Sequence, residues 1–477
     1  MSKYKRLGRN IFLVFIGNAG AKLLNLLLLP FYTRWLSVED YGITDMLNVY
    51  VMLLTGLVTA SIAEAVFVFP KNASKDDQKS YFSSGLFIAL VFLLLTGLIF
   101  LISKNLLIKS NLESIFTDYT LEIYILLIVN FLQSYFQQFC RGIDKMKVYS
   151  STGIVLTLTT ALYSFFFIPT YGVNGFVWAM ILASLSAAIY SFIASGAFRY
   201  LAFNFIIKKR YQEMLKYSLP LMPNAVMWWF IGYLNRPLIE TYAGLNSVGL
   251  LAVANKFPSA ITMLFGVFFY SWQISVIEEF GKDGYNQFYN KILRLLIFAL
   301  CLGSILLAIM SKFIISLVTA EEFHQAWVYI PVLALAPLLQ AISSYSSANF
   351  TASKETKYAF YSSIIGAGAS ILFNFLLIPD FGIWGAVISI VLAHLTMSIA
   401  RVGYAWRYVK ITNLPIILLT LFLTASTCFC ISYIQTFGIK WTFVIIFLLV
   451  LFITNFSMLK LIYFNSKLSY IKHKQKV

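Results

Sequence analysis

Charged residues are scarce in this chain: Asp, Glu, Lys and Arg make up 12% of its 477 residues, whereas apolar residues make up 60%. Acidic residues are the scarcer charge, with 19 Asp and Glu against 36 Lys and Arg. Together with a mean hydropathy of +0.80, this composition excludes an ordinary soluble domain. The chain is therefore predicted to be a polytopic membrane protein.

Metal ligands and disulfide partners are also few. The three histidines are scattered, and no cysteine pair has a spacing typical of a zinc site. We therefore expect no disulfide, no metal and no resident cofactor. The four cysteines lie in or beside apolar runs, at Cys140, Cys301, Cys428 and Cys430.

Patterns that carry catalysis or nucleotide binding are missing from the sequence. There is no glycine-rich phosphate loop with its lysine and no convincing constellation of serine, cysteine or paired carboxylates. The longest predicted external connection runs only from Lys104 to Phe116. The chain is therefore not expected to be an enzyme. A membrane-embedded polysaccharide polymerase or ligase is a remote alternative, because it would need a large external loop with catalytic basic residues.

Long apolar runs recur along the chain. A helix needs about 20 residues to cross roughly 30 Å of hydrocarbon, and fourteen runs reach that length. They are expected to be helices, because a backbone in lipid must satisfy its hydrogen bonds internally and the runs are too long for barrel strands. The runs cover residues 10–36, 41–69, 81–103, 117–139, 148–168, 172–199, 217–240, 246–275, 288–311, 326–350, 357–378, 383–409, 414–434 and 441–463.

The distribution of Lys and Arg indicates the orientation. If the amino terminus is inside, most of the 36 basic residues fall in inner segments, as the positive-inside rule requires. Both termini are therefore predicted to be cytoplasmic. The net charge of +17 reflects this topology and attraction to anionic lipid, and nucleic-acid binding is not expected. The first run is expected to be a retained helix, since it is long and lacks a small-residue cleavage site.

The chain contains an internal repeat. The octapeptide Ile-Pro-Thr-Tyr-Gly-Val-Asn-Gly, which begins at Ile168, returns 210 residues later at Ile378 as Ile-Pro-Asp-Phe-Gly-Ile-Trp-Gly. A similar offset of 207 residues relates Gly42 to Gly249. A repeat of about 200 residues is too long for a solenoid unit and indicates two homologous halves in a membrane.

The repeat predicts the domain organisation. Residues 1–205 would form an N-terminal lobe of helices 1 to 6, and residues 206–410 a C-terminal lobe of helices 7 to 12. Because six spans separate the two octapeptides, the lobes should enter the membrane in the same, parallel orientation. Residues 411–477 would add helices 13 and 14 and a basic cytoplasmic tail outside the duplication.

Polar residues inside the predicted helices mark a candidate cavity. A charge at mid-bilayer costs about 2.5 to 3.5 kcal/mol on insertion scales and normally faces water or a partner. In the first helix, Asn18, Lys22 and Asn25 share one face at spacing i, i+4, i+7. Polar faces on equivalent helices of both halves predict a shared water-filled cavity. Its other candidate residues are Asp45, Asn48, Asn130, Gln133, Gln137, Asn255, Lys256 and Gln340.

These polar residues also have structural interpretations. Lys22 could pair with Asp45 or Glu64 in helix packing, and Lys256 could extend toward the membrane interface. Arg236 could form a local ion pair with Glu240, four residues later. The serine and glutamine stripes of helices 4 and 10 are at least as typical of hydrogen bonds between helices as of contacts with sugars.

Three features resemble the polysaccharide transporter family, which contains the flippases of O-antigen and capsule repeat units. The first is Lys22-Leu-Leu-Asn-Leu-Leu-Leu-Leu-Pro-Phe-Tyr-Thr-Arg-Trp-Leu-Ser-Val-Glu-Asp-Tyr-Gly42, and the second is Tyr217-Ser-Leu-Pro-Leu-Met-Pro223. The third is the pair of Ile-Pro-x-x-Gly-x-x-Gly turns. The similarity covers essentially the whole chain.

The resemblance implies a fold and a binding site. The family belongs to the multidrug, oligosaccharidyl-lipid and polysaccharide exporter superfamily, which implies two six-helix lobes rocking around a central cavity. In related flippases, cations in that cavity hold a pyrophosphate, and two extra helices form a groove for a polyprenyl tail. Lys22 and Lys256 lie on the helices where such cations are expected, and Arg236 is a third candidate.

The predicted function is translocation of undecaprenyl-diphosphate-linked oligosaccharides across the bacterial plasma (inner) membrane. The expected partners are this lipid-linked saccharide, membrane lipids and polysaccharide polymerase machinery. Asn374 and His394 are weak candidates for a site of the coupling ion, Na⁺ or H⁺. The main alternative is a drug or cation exporter of the same superfamily. Such an exporter would need an acidic cavity, and it would not need helices 13 and 14.

Overall fold

The structure is a computed structural model that describes residues 26–109, 115–434, 438, 441–453 and 455. Most of these residues are helical, and none of them forms a strand. The prediction of an all-α membrane protein is confirmed, since nine helices of the described part are long and apolar enough to cross a bilayer. The count of fourteen spans stays a prediction, because some of these helices merge two apolar runs.

The helices are numbered α1 to α16 in chain order. Short 3₁₀ turns lie at Ala197–Arg199, Phe203–Phe205, Leu219–Leu221 and Glu321–Val328. The helices are α1 (26–35), α2 (Val38–Val58), α3 (Ile62–Val68), α4 (Lys75–Lys109), α5 (Ile115–Asp118), α6 (Thr120–Gly142), α7 (Met146–Ser195), α8 (Lys208–Ser218), α9 (Met222–Tyr233), α10 (Asn235–Glu279), α11 (Tyr285–Val318), α12 (Ile330–Leu333), α13 (Leu335–Ala352), α14 (Lys357–Ala405), α15 (Leu414–Tyr433) and α16 (Trp441–Ile453).

α7 and α14 are each broken at equivalent glycines. Gly172 has φ 55° and ψ −127°, and Gly382 has φ 52° and ψ −123°. At about 1.5 Å per residue, each of these helices would otherwise run for roughly 75 Å, more than twice the hydrocarbon thickness. Glycine reaches positive φ without steric cost, which explains where the breaks fall. The repeated octapeptide thus has the same backbone conformation in both copies.

The chain divides into two compact units. Unit 1 comprises Met1–Ala252 with Val318–Phe323, and unit 2 comprises Val253–Leu317 with His324–Val477. The lobe boundaries expected from the repeat stay a prediction.

Unit 1 has a core around Tyr135 of α6. This tyrosine is fully buried, and its hydroxyl donates to the carbonyl of Phe82 on α4 at 2.7 Å. Phe131 and Phe139 of α6 and Met214 of α8 belong to the same buried cluster. Because a buried hydroxyl without a partner is costly, this hydrogen bond helps to fix α4 against α6.

Unit 2 contains the counterpart of this arrangement. Tyr345 of α13, 210 residues after Tyr135, donates to the carbonyl of Tyr289 on α11 at 2.8 Å. Tyr289 in turn lies 207 residues after Phe82. The Tyr345 ring also stacks on Trp272, with ring centroids 4.1 Å apart. The two copies therefore share a buried hydrogen bond as well as a sequence motif, as homologous halves should.

α15 and α16 pack against unit 2. The ring of Tyr433, at the end of α15, stacks on Trp384 of α14 with centroids 4.7 Å apart. Leu451 of α16 is buried with Phe298 and Ile305 of α11. The helices beyond the duplication thus have apolar partners within the second unit.

Candidate functional site

The candidate site lies in unit 1, where α2 packs against α9 and the start of α10. α2 begins at a capping box: Oγ of Ser37 accepts from the backbone N–H of Asp40 at 3.1 Å, and the Asp40 carboxylate accepts from the Ser37 N–H at 3.3 Å. Such reciprocal bonds fix a helix start. α10 begins at Asn235, with Pro237 in its first turn, where proline costs no hydrogen bond.

A buried ion pair joins α2 to α10. Nε of Arg236 lies 3.2 Å from Oδ2 of Asp45, and Arg236 is only 4% exposed. A guanidinium buried to this extent requires a partner, and the carboxylate offsets its desolvation. The partner of Arg236 is therefore Asp45 on another helix, and not the neighbouring Glu240 that the sequence offers as an alternative.

The other hydrogen bonds of Arg236 are local. Nη1 donates to Oδ1 of Asn235 at 2.6 Å and to the carbonyl of Gly232 at 3.1 Å. Asn235 is 0% exposed, and among the described residues its Nδ2 has no hydrogen-bond acceptor. Buried amide donors are nearly always paired. The position beside Arg236 is therefore one where a ligand oxygen or a water molecule would be stabilised.

A second polar contact also links α2 with α10. Tyr50 of α2 forms a side-chain hydrogen bond with Glu240 of α10. Glu240 is half-buried, as is Tyr50. Two polar contacts therefore link α2 with the first turns of α10.

Beside the ion pair, the backbones of α2 and α10 touch. A Cβ at Gly42 would strike the backbone of Leu245, and a Cβ at Gly249 would strike the backbone of Val38. Each contact is the counterpart of the other under the 207-residue offset. Small residues permit such close helix crossings, so the two glycines form a crossing that is symmetric between the repeats.

Val318–Phe323 cover the same end of α2. The backbone N–H of Ala320 donates to Oγ1 of Thr33 at 3.2 Å. The rings of Tyr41 and Phe323 meet edge-on, with centroids 5.8 Å apart. Two segments of the second repeat therefore pack near the start of α2. One is Val318–Phe323, and the other is the part of α10 around Gly249.

An apolar crevice lies further along the interface between α2 and α9. Between the crevice and the ion pair, the indole N–H of Trp229 donates to the carbonyl of Val49 at 3.1 Å. The crevice has an apolar lining, which favours an apolar chain and disfavours a polar head group. The crevice is lined by Met52, Leu53, Gly56, Leu57, Ala225, Val226 and Trp229.

These groups are suited to binding. Arg236 and the spare donor of Asn235 can bind an oxyanion, and charge-assisted hydrogen bonds of this type are the stronger class. An incoming anion would compete with Asp45 for the guanidinium. A role of Arg236 in binding an anion stays a prediction.

The described residues place only some of the predicted cavity residues. Asn18, Lys22 and Asn25 lie outside the described residues. Asn48 of α2 is exposed, and its Nδ2 donates within its own helix to the carbonyl of Thr44 at 2.9 Å. A substrate contact stays a prediction for all four asparagine and lysine positions.

The polar stripe of α6 bonds to α7. Oδ1 of Asn130 accepts from the Ser184 hydroxyl at 2.8 Å. Nε2 of Gln133 donates to Oε1 of Gln137 at 2.7 Å, and Nε2 of Gln137 donates to the carbonyl of Tyr149 at 3.0 Å. These bonds match the structural interpretation of the stripe, while contact with a sugar stays a prediction.

The equivalent stripe of α13 is different. All residues of this helix from Leu335 to Phe350 are buried except Gln340, Ser344 and Ser347, which are half-buried. The three share one helix face by their spacing of i, i+4, i+7. Between Leu335 and Phe350 the accessible face of α13 is therefore entirely polar, as a wall of an aqueous cavity would be.

Lys256 and Asn255 of α10 are both half-buried. None of the ion pairs found in the described part of the chain involves Lys256. The structure thus keeps the Lys256 ammonium partly accessible in unit 2. Its role as a contact of a diphosphate stays a prediction.

Asn374 and His394 are buried in α14. Nδ2 of Asn374 donates to the carbonyl of Ser370 at 2.8 Å. Among the described residues, neither Oδ1 of Asn374 nor Nδ1 of His394 has a hydrogen-bond partner. Arg401 of the same helix donates to Ser362 at 2.9 Å. An ion site at Asn374 and His394 stays a prediction.

Sequence reasoning missed two members of the site. Asn235 lies at a helix start beside Pro237, where asparagine ordinarily serves as a cap or turn residue. Trp229 lies in an apolar run, where tryptophan is ordinary core. The contact of Asp45 with Arg236 could have been found only from the pairing of helices, which the sequence does not state.

A family model described as polysaccharide biosynthesis protein matches residues 7–272. A putative O-antigen transporter of Shigella dysenteriae is 24% identical over 400 residues, which cover 80% of this chain and 96% of that protein. An uncharacterized membrane protein of Methanocaldococcus jannaschii is 23% identical over 287 residues, 57% of this chain. The match spans 56% of the length of that archaeal relative.

Solved structures show the same fold. A lipid II flippase MurJ in an inward closed conformation has a TM-score of 0.71 at 16% identity, covering 95% of this chain and 99% of that one. An inward-facing multidrug resistance MATE transporter of the MOP superfamily has a TM-score of 0.63 at 13% identity, covering 81% and 94%. A MATE transporter of Vibrio cholerae has a TM-score of 0.59 at 13% identity, covering 84% and 96%.

The family match covers more than half of the chain, and the described residues have the fold of MOP-superfamily transporters. This protein is therefore a multi-pass membrane protein, and it belongs to the polysaccharide biosynthesis protein family.

Proposed function

We propose that this protein flips an undecaprenyl-diphosphate-linked oligosaccharide across the bacterial plasma membrane, for the synthesis of O-antigen or capsule. The observation that carries the proposal is the extent of the fold likeness. The lipid II flippase covers 95% of the chain, whereas the two MATE transporters cover 81% and 84%. The longer likeness favours a lipid-linked substrate, since α15 and α16 lie beyond the two repeated lobes.

The substrate has three parts with different needs. The saccharide cannot cross hydrocarbon without polar partners, the diphosphate needs cations, and the polyprenyl chain needs an apolar path. The accessible polar face of α13, at Gln340, Ser344 and Ser347, suits the saccharide. Lys22, Lys256 and Arg236 are the cations that we assign to the diphosphate.

Alternating access is the mechanism that we propose. With both termini cytoplasmic, Gly42 and Arg236 lie at the outer end of α2 and α10, where these helices are in contact. Delivery of a head group outward then requires this contact to open. A diphosphate that draws Arg236 away from Asp45 would weaken the same contact, which couples substrate arrival to opening.

The energy source belongs to the proposal as well. An ion gradient or the membrane potential would drive the cycle, and the coupling ion would be Na⁺ or H⁺. Polysaccharide polymerase machinery would take up the delivered lipid-linked unit. Each of these assignments rests on the proposed substrate.

Export of a drug or cation is the second candidate, favoured by the likeness to MATE transporters. Such a cargo would need an unpaired carboxylate. In unit 1 the Asp45 carboxylate is instead paired with Arg236. The paired state of Asp45 therefore favours the anionic substrate.

Deletion of the gene tests the proposal. The lipid-linked saccharide should accumulate on the cytoplasmic leaflet while surface polysaccharide disappears. Wild-type protein should restore both, whereas Lys22→Ala and Lys256→Ala, if inserted normally, should not. Lys282→Ala is the matched control, because Lys282 is exposed and pairs only with Glu279 in the described residues. Intact surface polysaccharide with altered drug tolerance would favour the exporter.

A further inference from the structure

The segment between α7 and α9 is tied firmly to α4. Oγ of Ser83 accepts from the backbone N–H of Ala202 at 2.9 Å, and Oγ of Ser84 accepts from that of Ile207 at 3.1 Å. Two serines of one helix turn therefore hold the backbone that leads into α8. The connection between the two predicted lobes is therefore held against α4 by hydrogen bonds.

α8 turns its single carboxylate inward. Arg210 forms ion pairs with Asp77 of α4 and, at 3.4 Å, with Glu213 of α8. The Arg210 guanidinium also donates to the hydroxyl of Tyr81 at 2.7 Å. Met214 of α8 is buried in the core of unit 1. Asp77 and Glu213 are thus paired with Arg210, and these contacts fix which face of α8 points outward.

The outward face of α8 carries lysines and apolar groups, together with the uncharged Gln212. Lys208, Lys209 and Lys216 are exposed, and none of the ion pairs of the described residues involves them. Around them, Ile207 is 44%, Tyr217 39% and Leu219 46% exposed. Exposed lysines mixed with large apolar side chains are typical of a helix that lies in a membrane interface.

The position of α8 in the chain fixes what it meets. α7 ends at Ser195 and α9 begins at Met222, and both belong to membrane-spanning segments. Twelve residues separate Ser195 from the start of α8 at Lys208, and three separate its end at Ser218 from Met222, so α8 is joined to membrane-spanning segments at both ends. At the bilayer surface, the complement to lysines flanked by apolar side chains is an anionic lipid head group with its acyl chains.

We propose that the α8 surface, defined as Lys208, Lys209 and Lys216 with Ile207, Tyr217 and Leu219, binds anionic phospholipids of the leaflet that it faces. The ammonium groups contact the lipid phosphates, and the apolar side chains enter the acyl boundary. Because Arg210 ties α8 to α4, bound lipid stabilises unit 1. The site is separate from the groups assigned to the transported substrate.

Thermal unfolding of the purified full chain in an uncharged detergent tests this site. Phosphatidylglycerol should raise the Tm above the value reached with phosphatidylcholine. In the triple variant Lys208→Gln, Lys209→Gln and Lys216→Gln, half-saturation should need more phosphatidylglycerol, by roughly fivefold for each lysine removed. The triple Lys→Arg variant should keep the wild-type response, since it keeps the charge.

The control removes three lysines elsewhere: Lys282→Gln, Lys291→Gln and Lys354→Gln, all at exposed positions. It should respond to phosphatidylglycerol as the wild type does. An equal loss in this control would overturn the proposal, and so would an equal effect of phosphatidylcholine. A full response to glycerol phosphate alone would also overturn it, because the ligand would then be a free anion. If the triple variant does not fold, Lys209→Gln alone should show a roughly fivefold shift, and an unchanged titration would reject the site.

Discussion

Gly42 and Gly249 occupy equivalent positions in the two repeats and pack against one another's helices where α2 crosses α10. The absence of a Cβ at both positions brings the two backbones into contact. The predicted orientation places this crossing at the outer surface, next to the ion pair of Asp45 and Arg236. The crossing is therefore the part of unit 1 that outward opening must separate.

Gly42→Ala should weaken the crossing. Its Cβ would meet the backbone carbonyl of Leu245, which has no flexible end to move aside. We expect a loss of about 1 to 3 kcal/mol in the closed form, seen as a lower Tm and as greater labelling of a cysteine placed near Thr33. Gly232→Ala is the matched control, since nothing lies within 4 Å of its Cβ. Equal effects of the two substitutions would contradict a tight crossing.

The ion pair makes a sharper prediction. Asp45→Asn leaves a buried guanidinium without its carboxylate and should lower the free energy of unfolding by about 3 kcal/mol. Removing both charges with Asp45→Leu and Arg236→Leu should restore most of that loss, because no buried charge remains. Denaturation of the purified variants measures both the loss and the recovery of the free energy of unfolding.

Lys282→Met is the control for this double-mutant cycle of Asp45 and Arg236. Lys282 and Glu279 form an exposed pair, and such pairs contribute little. Its Tm should stay near that of the wild type. Additive losses for Asp45→Leu and Arg236→Leu would show that the two side chains do not interact.

The two polar stripes should respond differently to truncation. Gln137→Ala removes a hydrogen bond to the α7 backbone and should lower stability by about 1 kcal/mol. Gln340 lies on the accessible face of α13, so Gln340→Ala should reduce transport at unchanged Tm. Complementation of a deletion strain, together with Tm measurements, separates the outcomes. A loss of transport at unchanged Tm for Gln137→Ala, together with a loss of stability for Gln340→Ala, would mean that the α6 stripe contacts the substrate and the α13 stripe is structural.

Glu355 gives a pH dependence outside the membrane spans. Its carboxylate accepts a hydrogen bond from the Tyr408 hydroxyl, which lowers the pKa of Glu355, with Lys357 contributing in the same direction. A lowered folded-state pKa adds stability above the unfolded pKa of about 4.3, and this stability is lost as pH falls through the folded pKa. Tyr408→Phe should therefore lower the Tm at neutral pH and have little effect in strong acid. Tyr404→Phe, which removes a hydroxyl but keeps the ring that stacks on Tyr358, should show no such pH dependence.

Much of the fold could be predicted because its causes are local or periodic. Apolar runs and scarce charge indicate spanning helices, and the repeated octapeptide lies where α7 and α14 are broken. The offset also related Gly42 to Gly249. It did not show that they touch, since a repeat states which residues are equivalent and not which helices cross.

The site was less accessible to sequence reasoning. Arg236 has an acidic residue four positions later, so a local pair was as reasonable as the observed contact with Asp45, 191 residues away. Asn235 gave no signal, because its importance comes from a buried amide that finds no acceptor within the described part of the chain. Such features arise from helix packing, which single residues do not encode.

Reconstitution tests the central claim most directly. The purified chain would be placed in liposomes that contain an undecaprenyl-diphosphate oligosaccharide, and a glycan-modifying enzyme would be added outside. The account predicts that the protein makes the inner pool of saccharide reachable and that Lys256→Ala slows this process while Lys282→Ala does not. Saccharide in the inner leaflet that stays as protected as in protein-free liposomes would contradict it.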